Sequence, residues 1–422
     1  MKTLIYTSAA AFFVLVVLTT FVPYPQARAD ALAAGFTEDD INIGLQLTRE
    51  RRLFMWGATA LELTLLCIFA MPPFARKLAD RWLAWTGGQR VLAALGVGLT
   101  YWIIHEILSL PIGIARLYHG QAWGFVNLDL LGWLHDHGLY FGIQLALSMT
   151  VLGGFYVLLL IFPRTWWLIA PVGMSVLGIA FAYVLPIWIS PLFNDFTPLS
   201  QTQWKDQQPR VQALITEAGI PVQEILVMNA SRQSNHTNAY FTGFGSTRRI
   251  VLYDTLLKKH TPDEIESVLA HEIGHWQKDH ITKGILLGAL AALAGCFLLD
   301  RLLRAAVGRA PWHLQSVADP AGVPLLLLLI YLGNWAAMPV QNAVSRYFER
   351  QADQVSLELA NRPEAFRAGE EKMARDNKSN VAPTPWNVWL FSSHPTTVER
   401  IRTAEEWKEK ASTKGTKDTK IE

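Results

Sequence analysis

Seven long apolar stretches constrain this 422-residue chain more than any other feature. They run over Thr3–Val22, Phe54–Met71, Val91–Gly113, Leu139–Phe162, Trp166–Ile189, Ile281–Leu299 and Gly322–Val340. Each is close to the roughly 20 apolar residues that a helix needs to cross the hydrocarbon core of a bilayer. One such stretch could be a buried core helix. Seven in one chain predict a mainly α, polytopic integral membrane protein with about seven transmembrane helices, in the inner membrane if the source is bacterial. Composition agrees, with 51% hydrophobic residues, only 17% charged residues and 16 tryptophans, a residue type that gathers at membrane interfaces. A net charge of +2 gives no bias toward nucleic acid, so the partner that composition implies is the lipid bilayer. The two cysteines, Cys67 and Cys296, lie within apolar runs and suggest no disulfide framework.

The polar stretches set the domain plan. Residues 1–189 hold membrane helices one to five. Residues 190–280 form a soluble insert, 281–340 carry helices six and seven, and 341–408 form a second polar segment. The tail, 409–422, lacks apolar periodicity and is expected to be disordered. The first apolar stretch follows a short basic start, and Ala27-Arg28-Ala29 precedes Asp30 like a signal-peptidase site. Its length favours a retained helix over a cleaved signal peptide. Within the insert, Val211, Leu214 and Ile215 predict a helix over Pro209–Ala218. Ile225–Met228, Ala239–Phe244 and Arg249–Tyr253 read as strands, with a turn at Gly245-Ser246. Thr261, Pro262 and Glu264 open another helix with a capping box, which makes the insert a small α+β domain.

That helix carries His271-Glu272-Ile273-Gly274-His275. A spacing of four puts both imidazoles on one face, where they can share a zinc ion. Glu272 then points toward the open coordination position, as a general base for a zinc-activated water. The alternative is a pair of surface histidines, so a third ligand on the same side of the membrane is the test. Spans six and seven are joined by the short segment Asp300–Ala321, and the chain returns after span seven to the side it left. There Asn342, Ser345, Glu349 and Asp353 fall near one helix face. Glu349 is the natural third ligand of a single His₂Glu zinc, against the reading of a solvated carboxylate. Both ligand helices extend membrane spans, so the metal is expected near the membrane boundary.

Three separated motifs carry a resemblance. Leu269 to Lys278, the set Asn342, Ser345, Arg346, Glu349, Ala352 and Asp353, and Ser393-His394-Pro395 with Glu399-Arg400 resemble the type I CAAX prenyl protease family of membrane-embedded gluzincins. Asn238 to Gly243 and Pro191 to Pro198 are also similar to it, and the likeness runs from about Ser190 to Arg400. The resemblance implies a barrel of membrane helices around a water-filled chamber, and hydrolysis of a peptide or protein substrate, C-terminally prenylated or membrane-embedded. It implies substrate-backbone binding at Asn238 and Ala239, which suits an edge strand that pairs with an extended peptide. An ordinary turn role for Asn238 is the alternative. It gives His394 and Arg400 roles at the oxyanion and substrate, where the alternative is a cap or salt bridge. It makes Asp353 the acid that orients a ligating histidine, with Asn342 and Arg346 beside it as supports.

Upstream of Ser190 the likeness is mostly hydropathy, and Leu117 to Phe125 matches the family only loosely. Glu62, His105 and Glu106 lie inside apolar runs and read as polar lining, with a further metal site as the weaker alternative. Basic residues cluster in the loops after spans two, four and six, which favours a catalytic face outside the cytoplasm. Many members of the family it resembles face the cytosol, so both orientations stand. Three other uses of the chain remain open. They are membrane-protein quality control without a prenyl requirement, a catalytically silent scaffold, and a transporter built on His105 and Glu106.

Overall fold

The computed structural model describes residues 12–220, 222–242 and 248–418. Among these residues, seven helices are long and apolar enough to cross a membrane. Most of the helices are longer than the apolar stretches that announced them. Residues 12–20 are helical and are followed by α1 (Pro25–Ala33). Next come α2 (Glu38–Ala70), α3 (Pro72–Trp85), α4 (Arg90–Ala122), α5 (Leu130–Ile161) and α6 (Trp166–Val184). Apolar length measures the bilayer, whereas a helix ends only where capping or a breaker stops it. Pro186 is such a breaker: α6 gives way to a π-helical turn over Leu185–Ile189, earlier than the expected end of that span.

The chain divides into two compact units. One comprises Phe54–Phe181 and Thr282–Ala337, and is helical. Its core gathers Val97, Leu152, Tyr156, Leu159, Trp166, Leu303 and Val323. Several ionisable residues within its apolar helices are paired. His105 Nε2 lies 2.7 Å from Glu62, whose carboxylate also accepts from Tyr101, and Glu106 pairs with His137. Buried Asp300 accepts from Trp166 Nε1 at 2.7 Å and Arg304 Nε at 2.8 Å. Such pairing is what low dielectric demands of an intramembrane charge.

The other unit joins Ala182–Ile281 and Met338–Glu422 with the described part of Met1–Leu53. The sequence groups those first residues with the membrane helices, and the helical stretch over Phe12–Ala33 is apolar and long enough to cross a membrane. Ala31, Ala34, Phe36 and Ile41 also share a core with Ala374, Val381, Val398 and Ile401. Asn387 Nδ2 donates to the carbonyl of Thr19 at 3.0 Å, a buried contact, and Ala29 lies inside α1.

This second unit contains a four-stranded sheet of β1 (Phe196–Pro198), β2 (Glu224–Met228), β3 (Ala239–Thr242) and β4 (Arg249–Tyr253), in spatial order β1-β2-β4-β3. β2 and β4 are parallel, and β1 and β3 flank them antiparallel. β1 is a strand that no pattern in the sequence announced; it is three residues long and held by register with Leu226–Met228. The expected turn at Gly245-Ser246 and the end of the expected strand at Phe244 lie outside the described residues. α7 (Gln208–Glu217), α8 (Asp254–Lys259) and α9 (Pro262–Gln277) complete the insert. The α9 capping box forms as expected, with Glu264 Oε2 accepting from Thr261 N at 2.9 Å and Thr261 Oγ1 from Glu264 N at 3.3 Å. Leu214, Ile250, Leu252, Leu269 and Ile273 form the core beneath α9.

Next are α10 (His280–Ala306), α11 (Val323–Ala360), α12 (Pro363–Asp376), α13 (Pro385–Phe391) and α14 (Thr397–Asp418). α11 is one continuous helix carrying both the seventh apolar stretch and Glu349. α9 is not continuous with α10: Asp279 takes a left-handed φ of 54° between them. The expected disorder over 409–422 is not found over 409–418, where α14 continues, and 419–422 lie outside the described residues. Val398, Ile401 and Ala404 anchor α14 at its start, and Glu406 with Lys410 supports it further along.

Candidate active site

The site begins with two small residues. A Cβ at Gly274 would stand 2.8 Å from Ala352 Cα and 3.0 Å from Ala352 O, so only glycine lets α9 press against α11 there. One turn away, Ser356 Oγ donates to the carbonyl of Ser267 at 2.7 Å and fixes the same contact. This approach brings Glu349 to the two imidazoles of α9. His271 Nε2 and His275 Nε2 are 3.2 Å apart. Glu349 Oε2 lies 3.3 Å from His271 Nε2, and Glu349 Oε1 lies 3.4 Å from His275 Nε2. These three residues could hold a metal ion. Glu349 Oε2 is buried and has no hydrogen bond of good geometry. A buried carboxylate oxygen of that kind calls for a cation.

Behind the donor atoms the two imidazoles have different partners. His271 Nδ1 lies 2.8 Å from Asp353 Oδ1. Asp353 in turn receives Arg400 Nε at 2.9 Å and Nη2 at 2.5 Å, and Arg400 Nη1 reaches Glu370 at 2.7 Å. Burial opposes a charge on His271, but the Asp353 and Glu349 carboxylates push its pKa up to about 10. His275 Nδ1 instead meets His280 Nδ1 at 3.0 Å.

Glu272 lies between the histidines on α9, and burial pushes its carboxyl above the usual carboxylate range. The backbone N–H of Phe241, on β3, donates to it. β3 is the last strand of the sheet, so its second edge runs beside α9 rather than another strand. Asn238 leads into that strand; its carbonyl accepts from Tyr253 N at 3.1 Å, and its Oδ1 from Ala239 N at 2.9 Å. Ala239 is buried in the insert's core. A cleft of about 630 Å³ opens beside these elements, lined among others by Asn238, His271, Glu272, Phe366, Met373 and His394.

His394 is exposed, with Nε2 3.5 Å from Glu349 Oε2. Asn342 and Arg346 act at a distance from the donor atoms. Asn342 Nδ2 donates to Leu390 O at 2.6 Å, and Arg346 Nη1 to Val388 O at 2.9 Å and Ser392 O at 2.6 Å. They tie down the carbonyl end of α13, from which the chain runs into Ser393 and His394. Arg400 lines the same cleft as His394. Its Nη2 is 3.3 Å from His271 Nδ1, on the side of the ring away from the donor cluster. Sequence reasoning missed His280 and Glu370. His280 carried a weak signal, a third histidine five residues after His275. Glu370 carried none, being one acid among several charged residues of α12.

Residues 201–408 match the model of Peptidase family M48, and residues 26–195 match that of the CAAX prenyl protease N-terminal region with five membrane helices. The chain is 30% identical over 369 residues to a Bacillus subtilis relative, "Uncharacterized metalloprotease YhfN", covering 87% of this chain and 85% of that one. It is 30% identical over 319 residues to CAAX prenyl protease 1 of Saccharomyces cerevisiae, covering 71% of this chain and 69% of the relative. The crystal structure of S. mikatae Ste24p superposes with a TM-score of 0.79 at 25% identity, covering 94% of this chain and 96% of that chain. Fold and site therefore define a multi-pass membrane metalloendopeptidase. The chain belongs to peptidase family M48 and, within it, to the CAAX prenyl proteases.

Proposed function

We propose that the protein is a zinc-dependent endopeptidase of the membrane, CAAX prenyl protease-like, with one zinc held by His271, His275 and Glu349. The observation that carries this reading is the convergence of one donor atom from each of the three residues within 4.8 Å of the others, with the two imidazole Nε2 atoms 3.2 Å apart and each within 3.4 Å of one or the other Glu349 oxygen. Zinc bonds of about 2.0–2.1 Å at tetrahedral angles give ligand–ligand edges of roughly 3.3–3.4 Å. Two nitrogens and one carboxylate leave a fourth position for water or substrate, as in a catalytic rather than a structural site. When bound, the zinc supplies a Lewis acid that polarises the scissile carbonyl and acidifies water.

The chain's own residues supply the rest. Glu272 accepts a proton from the attacking water and delivers it to the leaving nitrogen, and its raised pKa suits both transfers. His394, exposed at the cleft beside Glu349, is placed to donate to charge developing on the carbonyl oxygen. Arg400 acts as a positioning residue, holding Asp353 against His271. The second edge of β3 offers backbone groups to an extended peptide, with Asn238 and Ala239 at its start. CAAX prenyl protease 1, the yeast relative, makes a C-terminally prenylated peptide the substrate to try first.

The test uses purified protein in detergent. Zinc is measured by mass spectrometry, and cleavage of prenylated and unprenylated peptides is compared with that by Glu272→Gln. One zinc per chain in both proteins, with turnover reduced about 10²–10⁴-fold in the variant, is the expected result. Equal cleavage of both peptide classes would replace the prenyl preference with general membrane-protein proteolysis. Bound zinc with no cleavage of either peptide class, identical to the variant, would leave a silent scaffold or a different substrate.

A further inference from the structure

We propose that His280 and Gln351 are positioning residues that hold His275 in the tautomer able to bind the metal. The inference rests on the metal-site reading above and concerns residues that neither the sequence motif nor that reading uses.

His275 can offer its Nε2 lone pair only if its ring proton sits on Nδ1. That proton needs an acceptor, and the atom facing it is His280 Nδ1, 3.0 Å away. His280 must then carry its own proton on Nε2, which lies 2.9 Å from Gln351 Oε1. Gln351 Nε2 is directed to the hydroxyl of Tyr347, 3.0 Å away. The hydrogen bonds therefore run in one direction, from His275 through His280 to the amide oxygen. Run in reverse, with the amide nitrogen facing His280, the same chain would put a proton on His275 Nε2 and block ligation. The orientation of one glutamine amide thus decides whether a histidine two residues along the chain of bonds can serve as a ligand.

The backbone shows why His280 is there to do this. Residues five apart on an unbroken helix point about 140° away from each other. The left-handed Asp279, at φ 54°, ends α9 and starts α10, and so turns His280 back alongside His275. The His280 ring is buried and stacks on Phe348, with centroids 4.3 Å apart and planes within 10°. Phe348, Gln351 and Tyr347 sit on α11 next to Glu349, so one helix supplies both a ligand and the support of another. A support that fixes the ring and tautomer of a ligating histidine is worth about 10–100-fold in metal affinity.

The experiment is zinc affinity by chelator competition on full-length protein in detergent, for the wild type, His280→Phe, His280→Asn and Gln351→Leu. Thermal unfolding of each metal-free protein is measured alongside. His280→Phe keeps the bulk and the stacking but has no acceptor, and is expected to weaken zinc about 10–100-fold. His280→Asn returns an acceptor oxygen near the old Nδ1 and should recover most of that loss, while Gln351→Leu falls between. Wild-type affinity in His280→Phe overturns the proposal. So does a loss that His280→Asn fails to recover while metal-free stability falls in parallel, because that pattern belongs to packing alone. A wild-type protein that binds no zinc, indistinguishable from His271→Ala, removes the metal-site reading itself and is recognised before any His280 comparison is made.

Discussion

His271 and His275 are one turn apart on α9 and point at the same carboxylate, yet the two sides of the site are built from different chemistry. Behind His271 stands an ionic chain of Asp353, Arg400 and Glu370, all buried or nearly so. Behind His275 stands a neutral chain of His280, Gln351 and Tyr347 that reaches the protein surface, Tyr347 being 56% exposed. Depth explains the difference. A charge chain is tolerable in the interior only when each charge has a partner, and Arg400 serves two acids at once. Nearer the surface, neutral groups orient an imidazole without that requirement. One imidazole is held by charge and the other by hydrogen-bond direction.

The largest break in this contrast should come from Arg400→Leu. It strands Asp353 and Glu370 as neighbouring buried carboxylates, and loss of one partner of such a set costs about 3–5 kcal/mol. The thermal midpoint in detergent should fall well below that of any substitution on the His275 side, and an unchanged midpoint would mean that the ionic chain carries no weight. Next is Asp353→Asn, which keeps an acceptor near His271 Nδ1 but removes its charge. Zinc affinity, read by chelator competition, should drop about 10–100-fold. A loss smaller than that of Gln351→Leu would reverse the ranking of the two sides. The smallest effect is a gain. Gln351→Glu places a carboxylate behind His280 and makes the neutral side resemble the ionic one. Zinc should bind about a few-fold more tightly, because a more basic support raises the basicity of the ligand. Weaker binding would show that the hydrogen bond from the Gln351 amide to Tyr347 matters more than charge.

Much of this arrangement was legible in the chain itself. The four-residue spacing of His271 and His275 is a property of any helix, and the capping box of Thr261 and Glu264 announces that helix and its start. Glu349 followed from counting membrane crossings, since two spans return the chain to the side it left. The unexpected elements share a cause. β1 exists through its pairing with β2, Glu370 is functional only through Arg400, and His280 only through the bend at Asp279. Each is defined by a contact distant in sequence or by a local break, and neither has a periodicity to read. The packing of the N-terminal residues was illegible for the same reason, because Ala31, Phe36 and Ile41 have no visible partners until Ala374 and Ile401 are placed beside them.

The sequence alone determined what must be buried and what must be charged: seven apolar helices, a helix with two histidines on one face, and an acid delivered to the same side. Those are statements about period, length and crossing number, which local chemistry enforces. Only the tertiary structure decided how closely the helices meet and what stands behind each ligand. Gly274 against Ala352 lets one donor atom from each of His271, His275 and Glu349 come within 4.8 Å of the others, and the direction of a few hydrogen bonds selects which nitrogen faces that cluster. Distances and proton positions of that kind depend on residues far apart in the chain, and they become fixed only when those residues touch.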